Sequence, residues 1–402
     1  MPDAVARARA HLVTELMREG RVRSDPVAEA LSTVPRHLFL PDLEPEDAYA
    51  DEAVPIKIAD GVTLSSVSQP SMVGIMLEQL GVEPGDRILE IGAGAGWNAA
   101  LLARITGPTG TVTTVDIDDD LVARTRENLA AAGVSGVDAL VADGAVGHPP
   151  GAPYDRIELT VGATDIRPEW VDQLTSDGRL LLPLAVRGSQ LSIAFARTGP
   201  RRLESVSVRG CAFVRLRGVG AGDSGTVALG TPGWSVQLSE ANSCVDDALT
   251  GPVTAEIPSG CPASAADVWD GLGLWCAIAD PAVFRLLAEG PAAESTLGRS
   301  LLGSSAGRFA VGLACDDGVA LLVSDPERTI HGFGDGGARA ATRLAALVDG
   351  WIAAGHPQAA DLRIEADVGP GSTGDTLSEA TTGPGLDTVV HTQSARLRIR
   401  TP

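Results

Sequence analysis

A short glycine-rich stretch between an apolar segment and a helical pattern constrains this chain more than any other feature. Residues 87–91 are apolar enough to form a buried strand, and three glycines follow within residues 92–96. Glycine permits a tight turn, and the helix that starts after it presents unpaired backbone N–H groups to a ligand. The helical pattern at 97–105 leads to a second strand at 111–115, which ends at Asp116. The stretch therefore predicts a strand, turn, helix and strand with a ligand at the turn.

Strands and helices continue to alternate through the first half of the chain. Alternation of this kind, with apolar strands, predicts an α/β fold with a parallel sheet covered on both faces. Its ligand should lie at the carboxyl ends of the strands. Helical patterns also precede the glycine turn, at 5–18, 25–31 and 71–80. The later predicted elements are helices at 119–132 and 168–174 and strands at 139–141, 155–161 and 179–184.

The pattern changes after Pro183, and residues 218–233 are rich in Gly, Ser and Thr. We predict a first domain over residues 1–220 and a second, C-terminal domain of α/β or α+β type over residues 235–402. A loop is expected at 369–386, where Gly, Thr and Ser are dense, and another at 331–337, before a helix. The remaining elements predicted after residue 189 are strands at 190–197, 204–208, 309–315, 319–324, 362–366 and 396–399 and helices at 263–278, 281–288 and 338–354.

The charge and cysteine content narrow the class of protein. A formal charge of −21 argues against a nucleic acid partner, although it would attract a basic peptide segment. No apolar run approaches the roughly 20 residues that span a bilayer, so no membrane partner is expected. The five cysteines form no CxxC pair, so we expect no structural zinc site. This cysteine usage favours a location in the reducing cytoplasm. The N-terminus lacks the apolar core of a signal peptide, so we expect the mature chain to begin at Met1. The oligomeric state stays open.

The residue at the end of the second strand indicates the type of ligand. Asp116 follows the glycine turn by about 20 residues, the position from which a carboxylate can accept hydrogen bonds from a ribose diol. The glycines are spaced G-x-G-x-G, which departs from the G-x-G-x-x-G of dinucleotide-binding proteins. This spacing favours a nucleoside cofactor without a pyrophosphate over NAD.

Several motifs around the turn resemble one family. The stretch E-I-G-A-G-A-G at 90–96 is similar to the glycine motif of class I S-adenosylmethionine-dependent methyltransferases. The similarity to the protein-L-isoaspartate O-methyltransferase family extends, in order and spacing, from about Ser32 to Pro183. The resemblance implies a Rossmann-like domain that binds S-adenosyl-L-methionine and releases S-adenosyl-L-homocysteine. The motifs that carry it, besides the glycine turn, are V-P-R-H-L-F-L-P at 34–41, A-Y-A-D at 48–51, S-V-S-Q-P at 66–70 and A-D-G at 142–144.

The resemblance also assigns cofactor-binding residues. The three glycines would pack against the cofactor, and the acidic residue before them would support the turn. Asp116, with Ile117 beside it, would hold the ribose, and Asp143, with Gly144 beside it, would face the adenine amine. The residues of the turn itself are Glu90, Gly92, Gly94 and Gly96.

Ser68 is the implied catalytic residue, because in the family this position binds the acceptor carboxylate, and Ser66 lies beside it. A side-chain carboxylate with a pKa near 4 is already ionised at neutral pH, so it needs no general base to attack a sulfonium methyl group. What remains is positioning, which a hydroxyl donor can supply. An alternative interpretation is that both serines cap the helix that begins near Pro70.

Two segments depart from the family pattern, and both should lie near the acceptor. Trp97 and Asn98 stand where the family commonly has Tyr-Gln, and Thr160 and Val161 belong to a segment that replaces a T-A-A-like one. We predict that these four residues contact the substrate. Arg36 either lines the substrate entrance or packs inside. The tryptophans of the second half either fill its core or form a peptide groove, and they are Trp234, Trp269, Trp275 and Trp351.

Three hypotheses for function differ in the role that they give to the added half of the chain. The first is a carboxyl O-methyltransferase that acts on an Asp or isoAsp of a ribosomally made, modified peptide, so that an aspartimide can form. Extended relatives that resemble this chain belong to lanthipeptide and ATP-grasp peptide clusters. The second is a repair enzyme for isoaspartyl residues in damaged proteins. The third is a catalytically idle, cofactor-binding partner that holds a peptide for another enzyme.

Overall fold

The structure is a computed structural model of the 402-residue chain. It describes residues 4–222, 225–238, 244–261, 264–304, 307–324, 328–369 and 385–401. The loop predicted at 369–386 lies almost entirely outside the described residues.

The N-terminal half contains short helices, a hairpin and the predicted alternation. Each helix and strand predicted before residue 210 is present, with ends that differ by a few residues. The hairpin is an addition to the prediction. The elements are α1 (Ala4–Arg18), α2 (Asp25–Thr33), β1 (Val54–Ala59), β2 (Val62–Val67), α3 (Pro70–Leu80), β3 (Arg87–Ile91), α4 (Trp97–Thr106), β4 (Thr111–Asp116), α5 (Asp119–Ala131), β5 (Val137–Val141), β6 (Tyr154–Leu159), α6 (Pro168–Asp172), β7 (Leu174–Val186), β8 (Ser189–Arg197) and β9 (Arg202–Gly210).

The remainder of the chain is richer in strands than in helices. A π-helical turn at Val268–Leu272 joins the first two helices that follow β12. The elements are β10 (Thr226–Ala228), β11 (Trp234–Leu238), α7 (Cys244–Leu249), β12 (Val253–Pro258), α8 (Ala265–Asp267), α9 (Gly273–Ala279), β13 (Val283–Ala288), α10 (Thr296–Ser300), β14 (Leu302–Ser304), β15 (Gly307–Cys315), β16 (Gly318–Leu322), β17 (Thr329–Gly334), α11 (Gly337–Ala353), β18 (Arg363–Val368), β19 (Asp387–His391) and β20 (Ala395–Arg400).

The first sheet has ten strands in the order β19-β20-β18-β9-β8-β7-β6-β3-β4-β5. The five strands from β7 to β5 are parallel to one another, which confirms the predicted Rossmann-like α/β core. Strand order reverses on either side of β3, because β4 lies on one side of it and β6 on the other. Such a reversal leaves a crevice at the carboxyl ends of the strands, and the glycine turn lies at this crevice.

The second sheet is antiparallel throughout, with seven strands in the order β10-β11-β13-β15-β16-β17-β12 and β14 paired to β15. Helix α11 contacts β12, β15, β16 and β17, and Trp351 on it is buried. Trp275 on α9 is buried as well. This part of the chain is therefore of the α+β type.

The predicted domain boundary separates strands that the structure places in one sheet. The last three strands, β18, β19 and β20, were assigned to the second domain, but β18 pairs with β9 and extends the first sheet. A single hydrophobic cluster runs from Leu89 on β3 through Trp275 to Ile399 on β20. Backbone pairing explains the difference, since β9 would otherwise present an unpaired edge to solvent.

Residues 281–288, predicted as a helix, contain strand β13 (Val283–Ala288). The run is apolar except for Arg285, and the strand is buried on both sides. Val283 packs into the cluster shared by the two sheets, and Phe284, which points the opposite way, packs into a separate cluster. A short run that is mostly apolar fits a buried helix and a buried strand equally well. The predicted loop at 331–337 likewise contributes most of β17.

Two further findings concern the described part of the chain. No helix in it is long and apolar enough to cross a membrane. The four cysteines whose side chains are described, Cys211, Cys261, Cys276 and Cys315, form no disulfide.

Candidate active site

One pocket lies at the carboxyl ends of β3 and β4, and it gathers nearly all of the predicted site residues. Its walls are the glycine turn, the β1–β2 hairpin with the segment that follows it, and the segment 213–217 after β9. Of the predicted residues, Gly96 and Asp143 are outside its lining. The predicted residues that line it are Ser66, Ser68, Glu90, Gly92, Gly94, Trp97, Asn98, Asp116, Ile117, Gly144, Thr160 and Val161.

The glycine turn has a conformation that side chains would not permit. Gly92 has a φ of 109°, and a Cβ atom there would lie 2.5 Å from Oγ1 of Thr160. The Thr160 hydroxyl donates to the Gly92 carbonyl at 2.7 Å. Gly96 has a φ of 88°, and a Cβ atom there would lie 2.8 Å from Cγ2 of Thr125. The turn is therefore held rigidly between the β6 end and α5. The structure gives Thr160 a role in supporting the turn, in addition to its place on the pocket wall.

Asp116 is positioned as a hydrogen-bond acceptor inside the pocket. It ends β4, and 9% of its surface is exposed. One carboxylate oxygen accepts the Gly94 N–H at 3.1 Å, and the other accepts the Asp118 N–H at 3.2 Å. Burial raises the pKa of the Asp116 carboxyl above its usual value. Each carboxylate oxygen keeps a lone pair for a further donor.

Two buried carboxyl groups share one amide beneath the turn. Glu90 and Glu158 are opposite each other on the neighbouring strands β3 and β6, and both are fully buried. The Asn98 side-chain amide donates to Glu90 at 2.8 Å and to Glu158 at 3.0 Å. Thr114 also donates to Glu90. Burial raises the pKa of Glu90 to about 8 and that of Glu158 to about 7.

These contacts give one predicted residue a further role and add a residue. The Asn98 amide holds the two carboxyl groups under the glycine turn, so its polar contacts support the turn, and its contact with the acceptor stays a prediction. Glu158 was overlooked in the sequence. The available signal was a carboxyl residue between Ile157 and Leu159 at the buried end of β6, a charge that a strand covered on both faces rarely accommodates.

Ser68 lies where its hydroxyl can meet a ligand in the pocket. It is half-buried, and its side chain makes no hydrogen bond to the described residues. Gln69 is the N-cap residue of α3 and its side chain makes no cap hydrogen bond, whereas the Ser71 N–H in the first turn donates to the Asp51 carboxylate at 2.8 Å. The alternative interpretation of Ser66 and Ser68 as capping residues is therefore not supported.

Arg36 holds the Ser68 segment from behind. It is 1% exposed and donates to the carbonyl oxygens of Ser68 at 2.9 Å, Ala48 at 2.7 Å and Glu52 at 3.1 Å. Its guanidinium carbon lies 4.3 Å from the centre of the Trp97 ring. Burial lowers the pKa of Arg36 to about 9. The structure thus decides between its two predicted roles in favour of packing, through which Arg36 positions Ser68 and Trp97.

A protein family model matches the part of the chain that builds this pocket. Residues 7–220 match the family model described as protein-L-isoaspartate(D-aspartate) O-methyltransferase. The chain belongs to this family. The match confirms the resemblance, extends it beyond Pro183, and includes the wall formed by residues 213–217. With it, S-adenosyl-L-methionine is confirmed as the cofactor and carboxyl O-methyl transfer as the reaction class.

Relatives from archaea align with this chain over most of their own length. A protein-L-isoaspartate O-methyltransferase from Methanopyrus kandleri is 41% identical over 213 residues, which are 53% of this chain and 92% of the relative. One from Hyperthermus butylicus is 39% identical over 219 residues, 52% of this chain and 89% of the relative. A solved protein-L-isoaspartate O-methyltransferase aligns with 89% of this chain and 96% of its own, at 22% identity and a TM-score of 0.49.

The pocket suits the methyl donor of this family. Asp116 offers two buried oxygens to a ribose diol, and the positive φ of Gly94 turns the backbone around a space that adjoins Ser65 and Ser66 of the hairpin. Ile117 and Gly144 also line the pocket.

Asp143 has structural contacts that the resemblance does not imply. Its carboxylate accepts the Ala145 N–H at 2.9 Å and the Val219 N–H at 2.9 Å, and it is outside the pocket lining. The first contact caps the short helix Gly144–Val146, and the second ties the Gly218–Gly220 turn to it. These contacts give Asp143 a structural role, and its contact with the adenine amine stays a prediction.

An ion-pair cluster joins two walls of the pocket, and the sequence analysis did not identify it. Asp118 accepts from Lys57 of the hairpin at 3.0 Å and from Arg217 at 2.5 Å. Arg217 also lies 4.0 Å from Asp116. These partners are far apart in the sequence, so no local pattern signals them. The cluster connects the hairpin, the start of α5 and the segment 213–217 around the cofactor pocket.

Proposed function

We propose that this protein methylates an Asp or isoAsp carboxylate in a peptide that lies in a cleft beside the cofactor pocket. The cleft has a volume of about 570 Å³ and is bounded by the first sheet, including its edge strand β19, and by the second sheet. Phe213 and Arg215 line both the pocket and the cleft. This shared wall is the observation that carries the proposal, because a peptide in the cleft would reach the pocket there.

The acceptor carboxylate would meet Ser68 at the pocket. It is ionised at neutral pH and needs orientation more than proton removal. The Ser68 hydroxyl donates to it, while Arg36 keeps the Ser68 backbone in place. Ser66, Trp97 and Val161 line the remaining pocket wall and contact the acceptor. The bound S-adenosyl-L-methionine supplies an electrophilic methyl group.

We infer further that the acceptor belongs to a dedicated, ribosomally made and modified peptide. The added half of the chain supplies just under half of the residues that line the cleft, and a domain of 220 residues would lack that wall. Methylation gives the acceptor carbonyl carbon a methoxide leaving group, which departs more readily than the oxide of a carboxylate. The following backbone nitrogen then bonds to the ester carbonyl carbon, the C–O bond to methoxide breaks, and the nitrogen's proton leaves with it as methanol. The product is an aspartimide.

A specific observation favours a second candidate, the repair of isoaspartyl residues in proteins. The archaeal relatives about 40% identical to this chain, over some nine-tenths of their own length, carry the name protein-L-isoaspartate O-methyltransferase. The third hypothesis, an idle partner that only holds a peptide, is disfavoured by family membership. The cytoplasmic location stays a prediction from cysteine usage.

The test offers two acceptors in parallel, each with S-adenosyl-L-methionine, and follows the products by mass spectrometry. One acceptor is a generic isoaspartyl peptide, and the other is the cyclised product of a precursor peptide encoded beside the gene. A gain of one methyl group, or a later loss of water relative to the starting mass, on the cyclised peptide alone supports the dedicated enzyme. Transfer to the isoaspartyl peptide supports repair. Absence of transfer to any peptide carboxylate contradicts both.

A further inference from the structure

The cleft carries a charge opposite to that of the whole chain. Among the described residues that line it, three are arginines and one, Asp270, is an acid. The chain as a whole has a formal charge of −21. A cleft with low-dielectric walls concentrates the potential of the charges that line it, so the local sign decides what binds there. The arginines are Arg187, Arg215 and Arg285.

Arg285 supplies a fixed positive charge on the cleft wall. It is 5% exposed and donates to the carbonyl oxygens of Gly188 at 3.2 Å and Trp269 at 2.8 Å and to the Ser189 hydroxyl at 2.7 Å. Its guanidinium carbon lies 4.7 Å from the centre of the Trp269 ring. Burial lowers the pKa of Arg285 to about 10, so it remains a cation at neutral pH. These contacts hold β13 against the turn between β7 and β8.

Arg215 differs because its charge is available. Its side chain is exposed, and within the described residues it forms no hydrogen bond or ion pair. Its backbone is nevertheless fixed, since the Gly162 N–H donates to the Val214 carbonyl at 2.7 Å and the Leu216 N–H donates to the Gly162 carbonyl at 2.8 Å. Arg217, two residues later, is held by Asp118. An arginine with a fixed backbone and no partner thus lies where the cleft meets the pocket.

We propose that the cleft binds an acidic segment of the acceptor peptide and that Arg215 pairs with a carboxylate next to the residue being methylated. This inference rests on the proposed function and names the chemistry of its substrate. A guanidinium pairs with a carboxylate through two parallel hydrogen bonds, which a neutral side chain cannot reproduce. The sign is opposite to the basic segment that the net charge of the chain suggests, because the cleft holds its own excess of arginine.

The experiment compares two peptides that differ only beside the acceptor, with Glu at the flanking positions in one and Gln in the other. The wild-type chain should have a KM about tenfold lower for the Glu peptide, as expected for one charge-assisted pair. Arg215→Gln should raise the KM for the Glu peptide by about tenfold more than that for the Gln peptide, so that the preference between the two peptides is lost. The preference should also decrease as ionic strength rises.

The control is Arg363→Gln. Arg363 is exposed on β18, and neither it nor its cross-strand partner Arg400 lines the cleft or the pocket, while its replacement removes the same charge. It should keep the preference for the Glu peptide. Thermal melting and S-adenosyl-L-homocysteine binding of both variants establish that they are folded.

Three results would overturn the inference: equal wild-type KM values for the two peptides, a lower KM for a Lys-flanked peptide, or an equal effect of Arg215→Gln on both. Each of these requires methyl transfer to be detectable, so each leaves the proposed function intact. Failure of the wild-type chain to methylate any peptide would instead contradict the proposed function.

Discussion

At the scale of single residues, the site depends on polar groups held in a region with little water. Ser68 is fixed through its carbonyl by Arg36, and Glu90 is fixed by Asn98 and Thr114. Buried polar groups of this kind are stable only where each has a partner. Ser68 differs from these groups, because its half-buried hydroxyl makes no hydrogen bond to the described residues and can donate to a ligand.

Replacement of Ser68 tests its role in orienting the acceptor. We expect Ser68→Ala to lower kcat/KM by about 10- to 100-fold, as expected from loss of a hydrogen bond to a charged group. The binding of S-adenosyl-L-homocysteine, measured by calorimetry, should not change, since we expect the glycine turn and Asp116 to hold the cofactor. Ser66→Ala, on the same pocket wall, should have a smaller effect. Equal losses in the two variants would contradict the specific role of Ser68.

The pair Glu90 and Glu158 makes stability depend on pH. Their pKa values of about 8 and about 7 in the folded chain exceed the ordinary value of 4.5. At pH values between the ordinary pKa and these raised pKa values, the folded chain holds protons that the unfolded chain has lost. The free energy of unfolding must therefore decrease as pH rises through this range. We expect the melting temperature to decrease between roughly pH 5 and pH 8.

Glu158→Gln should flatten that dependence, because the amide cannot ionise and no longer repels Glu90. The melting temperature of both forms, measured at several pH values without cofactor, provides the test. Glu127→Gln, on the exposed side of α5, is the control and should follow the wild-type curve. A wild-type melting temperature that rises from pH 5 to pH 8, with no difference between wild type and Glu158→Gln, would exclude the assignment.

At the scale of elements, the glycine turn and the hairpin are held by contacts with neighbouring structure. The close approach of α5 to the start of α4 leaves no space for a side chain at Gly96. The hairpin β1–β2 pairs only with itself among the described strands, so its position over the pocket depends on side chains. Lys57 supplies one such contact through Asp118 and Asp120.

Gly96→Ala should lower the free energy of unfolding for two reasons, the close approach of α5 and the positive φ of the backbone. Comparison with Gly355→Ala separates the two contributions. Gly355 has a φ of 84°, near the 88° of Gly96, but a Cβ atom there would have nothing within 4 Å. Gly355→Ala therefore carries the backbone cost alone. We expect Gly96→Ala to destabilise the chain by about 1–3 kcal/mol more, since an added methyl group overpacks the site. Denaturant unfolding measures both, and equal losses would show that α5 yields to the added atom.

Asp118→Asn should loosen two pocket walls together, because it weakens the pairs with Lys57 and Arg217. We expect a several-fold loss in S-adenosyl-L-homocysteine affinity, with less dependence on ionic strength than in the wild-type chain. Asp120→Asn weakens one contact of Lys57 only, at a carboxylate that is 60% exposed, and exposed pairs contribute little. An identical affinity for the two variants would show that the cluster does not stabilise the pocket.

At the scale of the whole molecule, the two sheets share one hydrophobic cluster, and the last three strands complete the first sheet. The chain therefore does not divide at the glycine-rich linker into two independent halves. We expect residues 1–220 alone to be less stable and less soluble than the full chain, since truncation exposes the β9 edge and part of the shared core. Circular dichroism melts and size-exclusion chromatography test this. A truncated chain with the melting temperature of the full chain would contradict it.

The local spacing of residues in the sequence was sufficient to predict much of the fold and of the cofactor site. The alternation of strands and helices, the glycine turn and Asp116 all depend on residues close to one another in the sequence. Their periodicity and turn chemistry carry the information. The same holds for Ser66 and Ser68, which their neighbouring motifs placed in the pocket.

Contacts between distant parts of the chain were needed for the rest. Whether Asn98 faces a substrate or two carboxyl groups depends on Glu158, a residue on another strand. The wall at 213–217 and the ion pairs of Asp118 join segments with no common pattern. Strand β13 is set by burial on both of its faces. Strand β18 joins the first sheet because the edge of β9 required a partner. Such contacts are set by packing and backbone pairing in three dimensions, which sequence spacing does not encode.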